Sequence, residues 1–493
     1  MIEETIRTSG KFQVEIKSDY KLEQDQKHTA YAIEAFVFVP NSLDVNPDTY
    51  PKYLFYRDTQ TYIRFKLPTV LLRDIASAVD SPFVALETAL KDLTDHKSDA
   101  AIRNCENQIK LFCCILKSSI RDHVDLIANA RNSTDAEYLV EHYLPNLETI
   151  LPRFRSLREM VALPSIDDRI RSIYALADEY ISTTVEQFTF DILEKTGKLS
   201  DDNPGGYRKA LLDIITEEVT YRIEQGYPSI PTADSDNEAF IYRRGVLKRL
   251  MESILFLDTS VRPEGRITEQ VVYSLAAGLA MVFATTVAFL TQQTYGNFTM
   301  AFFVALVVSY MFKDRIKELV RLYVNKKVQS RFFDHKVKIC GGSRGNQLGV
   351  SREAFQFMSD SKLQPEIRRL RNRDPITRID NDQLGEKVFL YRKSMTIFSR
   401  NFEQVYRNTP IDGITDIWRL GMSRFVRKMD NPDKAVFVVD GDRYYRGAGS
   451  KVYHISLVIR YLTSRGELYK RFRIVLNRSG IKRVEEVKAI AGK

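Results

Sequence analysis

The first 70 residues follow the two-residue hydrophobic period of β-strands. Four stretches show either this alternation or a run of β-branched and aromatic residues: 12–16, 31–39, 52–56 and 61–67. Such stretches predict strands when turn-forming residues bound them. The second stretch ends at Pro40, and the polar segment 57–60 predicts a hairpin between the last two. We therefore expect a β-rich N-terminal segment over residues 1–68.

The next two hundred residues change to the three-to-four spacing of α-helices. The clearest helix is predicted over residues 98–130, where one face carries Ile102, Cys105, Ile109, Phe112 and Leu116. Thr134 and Glu137 predict a capping box, in which both side chains bond free backbone N–H groups at a helix start. Another helix is predicted to begin at residues 165–168. We expect a helical cytosolic domain of five or six helices over residues 69–265.

Residues 271–312 contain no Asp, Glu, Lys, Arg or His. One spanning helix needs about 20 apolar residues, so these 42 residues suffice for two spans and a turn. The polar stretch 291–297 predicts the turn. We therefore expect a transmembrane helical hairpin at 266–312, with spans over residues 271–290 and 298–312. A helical hairpin buried in a soluble core is the alternative.

The charges that flank this run predict its orientation. Arg262 and Arg266 precede the run, and Lys313, Arg315, Lys317 and Arg321 follow it. Basic flanks favour the cytoplasmic side of a membrane, so both termini are expected in the cytoplasm and only the turn outside. The pattern is typical of a multi-pass protein with two spans in a bacterial inner membrane.

Small residues recur at every fourth position in both expected spans. They are Ala276, Ala280, Ala284, Ala288, Ala301, Ala305 and Ser309. This spacing gives each helix a flat face on which backbones can approach closely in lipid, although ordinary alanine frequency is the alternative. Neither span carries an ionisable group for ion or proton coupling. The hairpin is therefore expected to act as an anchor or an oligomerisation element.

The chain after the hairpin divides into two further regions. Residues 313–382 predict a basic juxtamembrane helix and an irregular linker, because the later part is rich in Gly, Arg and Asp. Strand patterns return at residues 387–398, 435–439, 453–462 and 468–476. They predict a cytosolic α+β domain with an antiparallel sheet over residues 383–493. The expected fold class is an α+β membrane protein.

Charge is divided unequally over the 493 residues, whose formal net charge is +9. Residues 1–312 carry a net charge of −11 and residues 313–493 a net charge of +20. Such an asymmetry favours an anionic partner. The candidates are anionic lipid headgroups of the bilayer, the acidic N-terminal part of the same chain and, less favoured, nucleic acid. A homo-oligomer is also compatible with the hairpin.

The sequence offers few candidates for chemistry. Cys105, Cys113 and Cys114 share one helix, and their spacing suits core packing better than a zinc site. Cys340 precedes glycines but lacks the Gly-Lys-Ser/Thr ending of a phosphate-binding loop. Residues 440–442 resemble a metal motif and are more simply explained as a hairpin turn. We assign no catalytic residue, no metal site and no cofactor.

The last predicted hairpin carries the one candidate binding site. A turn at Arg465 and Gly466 predicts three apolar pairs on one face: Ile455 with Leu476, Leu457 with Ile474 and Ile459 with Phe472. The same register sets Arg460 opposite Arg471, and Val458 opposite Arg473. Because like charges opposite each other are destabilising, Arg460, Arg471 and Arg473 are candidates for binding an anion. A solvated basic face is the alternative.

These features favour a non-enzymatic, membrane-anchored scaffold or sensor whose cytosolic domains bind partners or an anionic ligand. Two alternatives remain. One is a membrane-anchored hydrolase or nucleotide-handling enzyme with an unrecognised site, which a cleft of perturbed carboxylates or histidines would support. The other is an oligomeric pore formed by the hairpins, which a ring of subunits would support.

Overall fold

The chain forms two compact units, here called the sheet unit and the helical unit. The computed structural model describes residues 3–22, 27–78, 80–130, 132–196, 207–264, 266–296, 299–328, 333–341, 345–371, 385–405, 411–464 and 466–487. The sheet unit comprises residues 1–64, 257–409 and 413–493, and the helical unit comprises residues 65–256 and 410–412. By sequence, the sheet unit carries a net charge of +18 and the helical unit −9.

The helical unit contains seven helices among its described residues. They are α2 (Asp74–Ser77), α3 (Pro82–Asp95), α4 (Asp99–Ala128), α5 (Ser133–Val161), α6 (Asp168–Thr196), α7 (Tyr207–Glu224) and α8 (Glu238–Glu252). The predicted apolar face of α4 is buried, as Ile109 and Phe112 show with exposures of 0% and 1%. It packs within a core shared by α3, α5 and α6. The helical middle predicted from the sequence is confirmed.

The sheet unit contains fourteen described strands and the remaining helices. The strands are β1 (Glu3–Thr8), β2 (Gln13–Lys21), β3 (His28–Pro40), β4 (Thr59–Lys66), β5 (Asp258–Pro263), β6 (His335–Gly341), β7 (Asn346–Met358), β8 (Glu386–Phe398), β9 (Gly413–Gly421), β10 (Asp433–Asp440), β11 (Arg443–Ser450), β12 (Tyr453–Thr463), β13 (Gly466–Asn477) and β14 (Gly480–Glu486). The helices are α1 (Lys52–Asp58), α9 (Arg266–Tyr295), α10 (Met300–Val328), α11 (Pro365–Arg371) and α12 (Ser399–Val405).

Strands from both ends of the chain share these sheets. The large sheet has the order β14-β13-β12-β3-β8-β7-β6-β5, and a second sheet has the order β1-β2-β9-β4. The N-terminal β3 therefore lies between β12 and β8, and antiparallel pairing joins it to both. The division at residues 68 and 383 expected from the sequence differs from this arrangement, because sheet pairing joins strands that lie far apart along the chain.

The large sheet is covered on both faces. On one face, α11 packs against β12, and its Ile367 belongs to a small apolar cluster with Phe36 of β3, Leu390 of β8 and Val458 of β12. On the opposite face, side chains of β8 meet those of β9 from the second sheet; the rings of Tyr391 and Trp418 lie 4.7 Å apart. The core of this unit therefore lies between two antiparallel sheets.

Several local expectations are wrong. Residues 52–58 form α1 and not a strand; the adjacent Leu54 and Phe55 are both buried, whereas successive side chains of a strand point to opposite faces. The start of α5 is capped by Asn132, whose side chain accepts from the Asp135 N–H at 2.7 Å, and not by Thr134. The error at residues 52–56 arises because a short apolar run does not distinguish a helix from a strand.

The linker expected to be irregular after the juxtamembrane helix contains two strands. Both β6 and β7 are internal strands of the large sheet, and β7 pairs with β8 over its whole central part. Gly349 fits this pairing because a Cβ atom there would lie 2.7 Å from the Thr396 carbonyl oxygen. The glycine that suggests a loop in the sequence is thus explained by close approach of two strands.

Candidate functional site

The helical hairpin formed by α9 and α10 packs through its small residues. Ala276 and Ala280 are 1% and 0% exposed. The Ser309 hydroxyl, also buried, donates a hydrogen bond to the Ala284 carbonyl at 3.3 Å. Ala288 and Ala305 are half-buried, and the side chain of Ala301 lies outside the described residues. The small faces of the two helices are thus brought together.

The outer surface of this hairpin is apolar and exposed. Large side chains on both helices have exposures above 50%: Val271, Leu275, Leu279, Met281, Val282, Phe289 and Leu290 on α9, and Met300, Phe303, Val304, Met311 and Phe312 on α10. Soluble monomers rarely expose contiguous apolar patches larger than a few hundred Å². Such a surface needs a cover, either lipid or protein.

Within the described residues, one helix is long and apolar enough to cross a membrane. It covers Tyr273–Tyr295 of α9, with a mean hydropathy of 1.8 and 11% of its most apolar window buried. By itself this is weak support for a span, because the core helix of a soluble protein and a signal sequence can have the same composition.

The second helix is too short in its apolar part to meet the same criterion. Residues 300–312 of α10 are uncharged and extend about 20 Å at 1.5 Å per residue, whereas a hydrocarbon core is about 30 Å thick. The guanidinium of Arg321 lies 4.3 Å from the ring centre of Tyr273. The charged part of α10 therefore runs alongside the first turns of the apolar part of α9, and length alone does not establish two spans.

The register expected for the last hairpin is wrong by two residues. Ile455 pairs with Ile474 and Leu457 with Phe472. A shift of two keeps each side chain on the same face, so the apolar face is as expected although the partners differ. Arg460 lies opposite Tyr469 and not opposite Arg471. Of the two expected turn residues, Arg465 lies outside the described part and Gly466 begins β13.

Arg460 has carboxylate partners within the protein. Its guanidinium donates to Glu34 on β3 at 3.0 Å and to Glu467 on β13 at 2.6 Å. A carboxylate of the N-terminal part was one of the anions considered from the sequence, and Glu34 is such a group. The strand order supplies it, because β3 is the direct neighbour of β12.

The other two candidate arginines belong to the face of the sheet that α11 covers. Arg471 is 4% exposed and lies opposite Val458, which is itself part of the cluster under α11. Arg473 lies 3.9 Å from Glu485 of β14. The expected alternative of a solvated basic face is therefore wrong for Arg471. Anion binding by these residues stays a prediction.

A buried triad of charges, not anticipated from the sequence, lies between the two sheets. The Lys393 ammonium on β8 lies 2.8 Å from Asp416 on β9 and 3.3 Å from Glu353 on β7. Burial favours a lower pKa for Lys393, but the two carboxylates outweigh it and raise that pKa above its ordinary value. A nucleophilic lysine needs a lowered pKa, so this arrangement suits an ion-paired cross-link between sheets.

A second buried side chain, that of Glu4, has a raised pKa. The Glu4 side chain on β1 is 1% exposed and lies 3.7 Å from the Lys470 ammonium. Burial raises the pKa of Glu4 to about 7, against the opposing effects of Tyr461 and Lys470. A carboxyl with such a pKa has the protonation behaviour of a general acid or base, but a general base must reach its substrate. The side chain of Glu4 is sealed from solvent.

The helical unit holds its own buried network. Asp178 on α6 accepts hydrogen bonds from Arg158 at 2.6 Å, Tyr221 at 2.6 Å and Tyr227 at 2.9 Å. Arg155, on the same helix as Arg158, stacks 3.5 Å from the ring centre of Tyr221. These contacts join α5, α6 and α7, and they give the buried carboxylate three hydrogen-bond donors, as a buried polar group requires. The network is well suited to fixing three helices.

The remaining motifs are placed as follows. Cys105, Cys113 and Cys114 are buried in α4, and burial raises the pKa of Cys105 to about 12, so core packing is confirmed. The loop after Cys340 has residues 342–344 outside the described part. Residues 440–442 join β10 to β11, which confirms the hairpin turn. Among the described residues, no group of three or more His, Cys, Asp or Glu could hold a metal.

No family model matches this chain, and no curated protein or solved structure is significantly similar to it.

Proposed function

We propose that the chain is a membrane-anchored scaffold whose α9–α10 hairpin enters the bilayer from the cytoplasmic side. The observation that carries this proposal is the exposed apolar surface of the hairpin. Lipid is a suitable cover because the surface surrounds both helices, while their polar Ser309 contact and small residues face each other. Both termini and both units then lie in the cytoplasm.

In this proposal, the charged part of α10 lies at the cytoplasmic boundary of the bilayer. Lys313 lies 4.7 Å from the ring centre of Tyr310, and the Arg321–Tyr273 contact lies further along the same hairpin. Aromatic and basic side chains of this kind gather where hydrocarbon meets headgroups. Lysine and arginine stems can extend toward the headgroups, and local thinning can shorten the path. The short uncharged part of α10 is thus compatible with two spans.

Anionic headgroups are the proposed partner of the sheet unit. The unit carries a net charge of +18, and α10 continues the apolar hairpin with exposed Arg315, Lys317 and Arg321. Each basic residue near an anionic leaflet contributes about 1 kcal/mol. The enzymatic alternative has less support among the described residues, because Lys393 and Cys105 have pKa values shifted away from their nucleophilic forms.

Single-cysteine labelling in intact spheroplasts tests the proposal. Three exposed positions are suitable in a Cys340→Ser background: Gln270→Cys before the apolar part of α9, Arg315→Cys just after the uncharged part of α10, and Gln293→Cys at the far end of α9. A membrane-impermeant maleimide should label position 293 before lysis and positions 270 and 315 only after it. Lys387→Cys, exposed on β8, is the cytoplasmic control.

The other labelling patterns contradict the proposal in different ways. Labelling of position 293 only after lysis means that the hairpin does not cross. Labelling of positions 293 and 315 before lysis means that only α9 crosses and that the C-terminal half is outside. Recovery of the chain in the soluble fraction means that protein covers the apolar surface.

A further inference from the structure

The hairpin of β10 and β11 stands apart from the two larger sheets. It forms a sheet of two strands, and no other described strand pairs with it. Every residue of β10 is exposed, and Phe437 and Val439 have exposures of 63% and 74%. An isolated hairpin is at best marginally stable in water. The apolar content of β10 therefore needs an explanation other than the core.

The two free edges of this hairpin differ. Along β11, Arg443, Arg446 and Gly447 interrupt the apolar side chains. Charged residues disfavour edge pairing, and glycine weakens the strand itself. Along β10, Ala435 to Val439 form five uncharged residues in a row, with Lys434 before them and Asp440 after them. Such a segment is a template for another strand. The edge of β10 is the one suited to pairing.

The charges at the ends of β10 specify the partner. If two β10 strands run antiparallel with Phe437 opposite its own copy, Lys434 of each strand lies opposite Asp440 of the other. A parallel arrangement sets lysine beside lysine and aspartate beside aspartate, which is destabilising. We propose that β10 pairs with β10 of a second copy of this chain, antiparallel about a two-fold axis at Phe437. The inference does not depend on membrane insertion.

The proposed register also keeps the two faces consistent. Val436 lies opposite Val438 of the second copy on one face, and Ala435 lies opposite Val439 on the other. The β-branched pairs on one face and the aromatic pair on the other are favourable cross-strand neighbours. The result is a four-stranded sheet with the order β11-β10-β10-β11. Because the two copies use the same β10 edge, the assembly stops at a dimer.

A charge-reversal mixing experiment on the full chain in detergent tests this register. Lys434→Asp sets aspartate opposite aspartate in its homodimer, and Asp440→Lys sets lysine opposite lysine. Each variant alone should dimerise at least tenfold more weakly than the parent in sedimentation equilibrium. An equimolar mixture should recover dimers, because both interchain pairs become Asp–Lys. Asp433→Lys changes a charge on the same strand outside the paired segment and should leave dimerisation unchanged.

Disulfide trapping checks the position of the axis. Phe437→Cys should form a crosslinked dimer under mild oxidation, because the two copies face each other, whereas Ala435→Cys should not, because its copies are four residues out of register. The proposal is overturned if the parent is monomeric at micromolar concentration, if both reversals leave its dimer intact, or if the mixture stays dissociated. A hairpin that instead binds liposomes as a monomer also overturns it.

Discussion

A lysine ammonium enclosed between two sheets must keep its counter-ions. Lys393 is 2% exposed and has Asp416 and Glu353 as its partners. Lys393→Met leaves two uncompensated buried carboxylates, so we expect it to lower the free energy of unfolding by about 3–5 kcal/mol. Urea unfolding of the detergent-solubilised chain measures the loss, with Lys387→Met, exposed on the same strand, as the matched control.

A companion variant separates charge from packing. Lys393→Met combined with Asp416→Leu and Glu353→Met replaces every charged side chain of the triad by an apolar one of similar volume. It should recover most of the lost stability, since replacing a buried ion pair by hydrophobic groups of similar size can be neutral. Equal stability of Lys393→Met and the parent would show that the triad does not hold the sheets together.

The raised pKa of Glu4 predicts a pH-dependent stability. Its folded-state pKa is about 7 and its ordinary value is 4.5. Between these pH values the unfolded chain releases a proton that the folded chain retains, so stability falls as pH rises from 4.5 to 7 and is constant above. Glu4→Gln should therefore stabilise the protein by about 1–3 kcal/mol at pH 8 and have no such effect at pH 4.

Thermal unfolding at a series of pH values measures this difference. Glu366→Gln changes a mostly exposed carboxyl on α11. It should change the melting temperature only slightly, and by the same amount at every pH. A stabilisation by Glu4→Gln that is independent of pH would contradict the assigned titration. A destabilisation at pH 8 would mean that the charged carboxylate is the form the fold prefers.

The two buried charge sites differ in how visible they are in the sequence. Lys393 interrupts an inward-facing row of Phe389, Tyr391 and Met395, which an alternating pattern can reveal. Its partners come from β7 and β9, and no local pattern relates them to β8. Glu4 has no local signal, because its neighbours Tyr461 and Lys470 lie on strands more than 450 residues further along the chain.

At the scale of single elements, the small-residue face of α9 gives a direct test. Ala280 is 0% exposed against α10, and close backbone approach depends on small side chains. Ala280→Leu should separate the helices and lower stability in detergent by about 1–3 kcal/mol, as overpacking does elsewhere. Ala277→Leu makes the same change on the exposed side of the helix and should have little effect. Similar melting temperatures for both variants would contradict the proposed packing.

Elements with long, regular patterns were predictable, while their partners and exact registers were not. The apolar positions of α4 and β12 repeat over many residues and identify both elements. In the last hairpin, two registers that differ by two residues present the same apolar face, so the pattern cannot choose between them. Arg460 shows the consequence of the wrong register. Its partners Glu34 and Glu467 can be identified only once β3 is known to lie beside β12.

For the whole molecule, the predictable part is the order of strand-rich and helix-rich regions. Apart from residues 410–412, the helical unit is one stretch of chain from Phe65 to Phe256, so local periodicity nearly suffices to define it. The sheet unit is assembled from three separate stretches of chain, and periodicity contains no information on which strands pair. The sequence shows that α9 contains a stretch long and apolar enough to cross a membrane, and it shows that the uncharged part of α10 ends at Phe312, before Lys313.

The difference in chain continuity between the two units predicts which fragments fold on their own. A fragment of residues 65–256 retains its own core and should give a helical circular dichroism spectrum with a cooperative melt. A fragment of residues 332–493 contains β8 and β12 but lacks β3, which pairs with both. Two unpaired edges then lie where the middle of the sheet should be, and such edges promote aggregation.

Size-exclusion chromatography and limited proteolysis distinguish the outcomes. We expect residues 332–493 alone to aggregate or to be digested throughout, and co-expression of residues 1–64 with residues 257–493 to restore a protease-resistant sheet. A monodisperse, resistant fragment of 332–493 would mean that β8 and β12 can close on each other without β3. The basic C-terminal part would then be an independent domain, and its charge could be assayed apart from the N-terminal strands that supply Glu34 to Arg460.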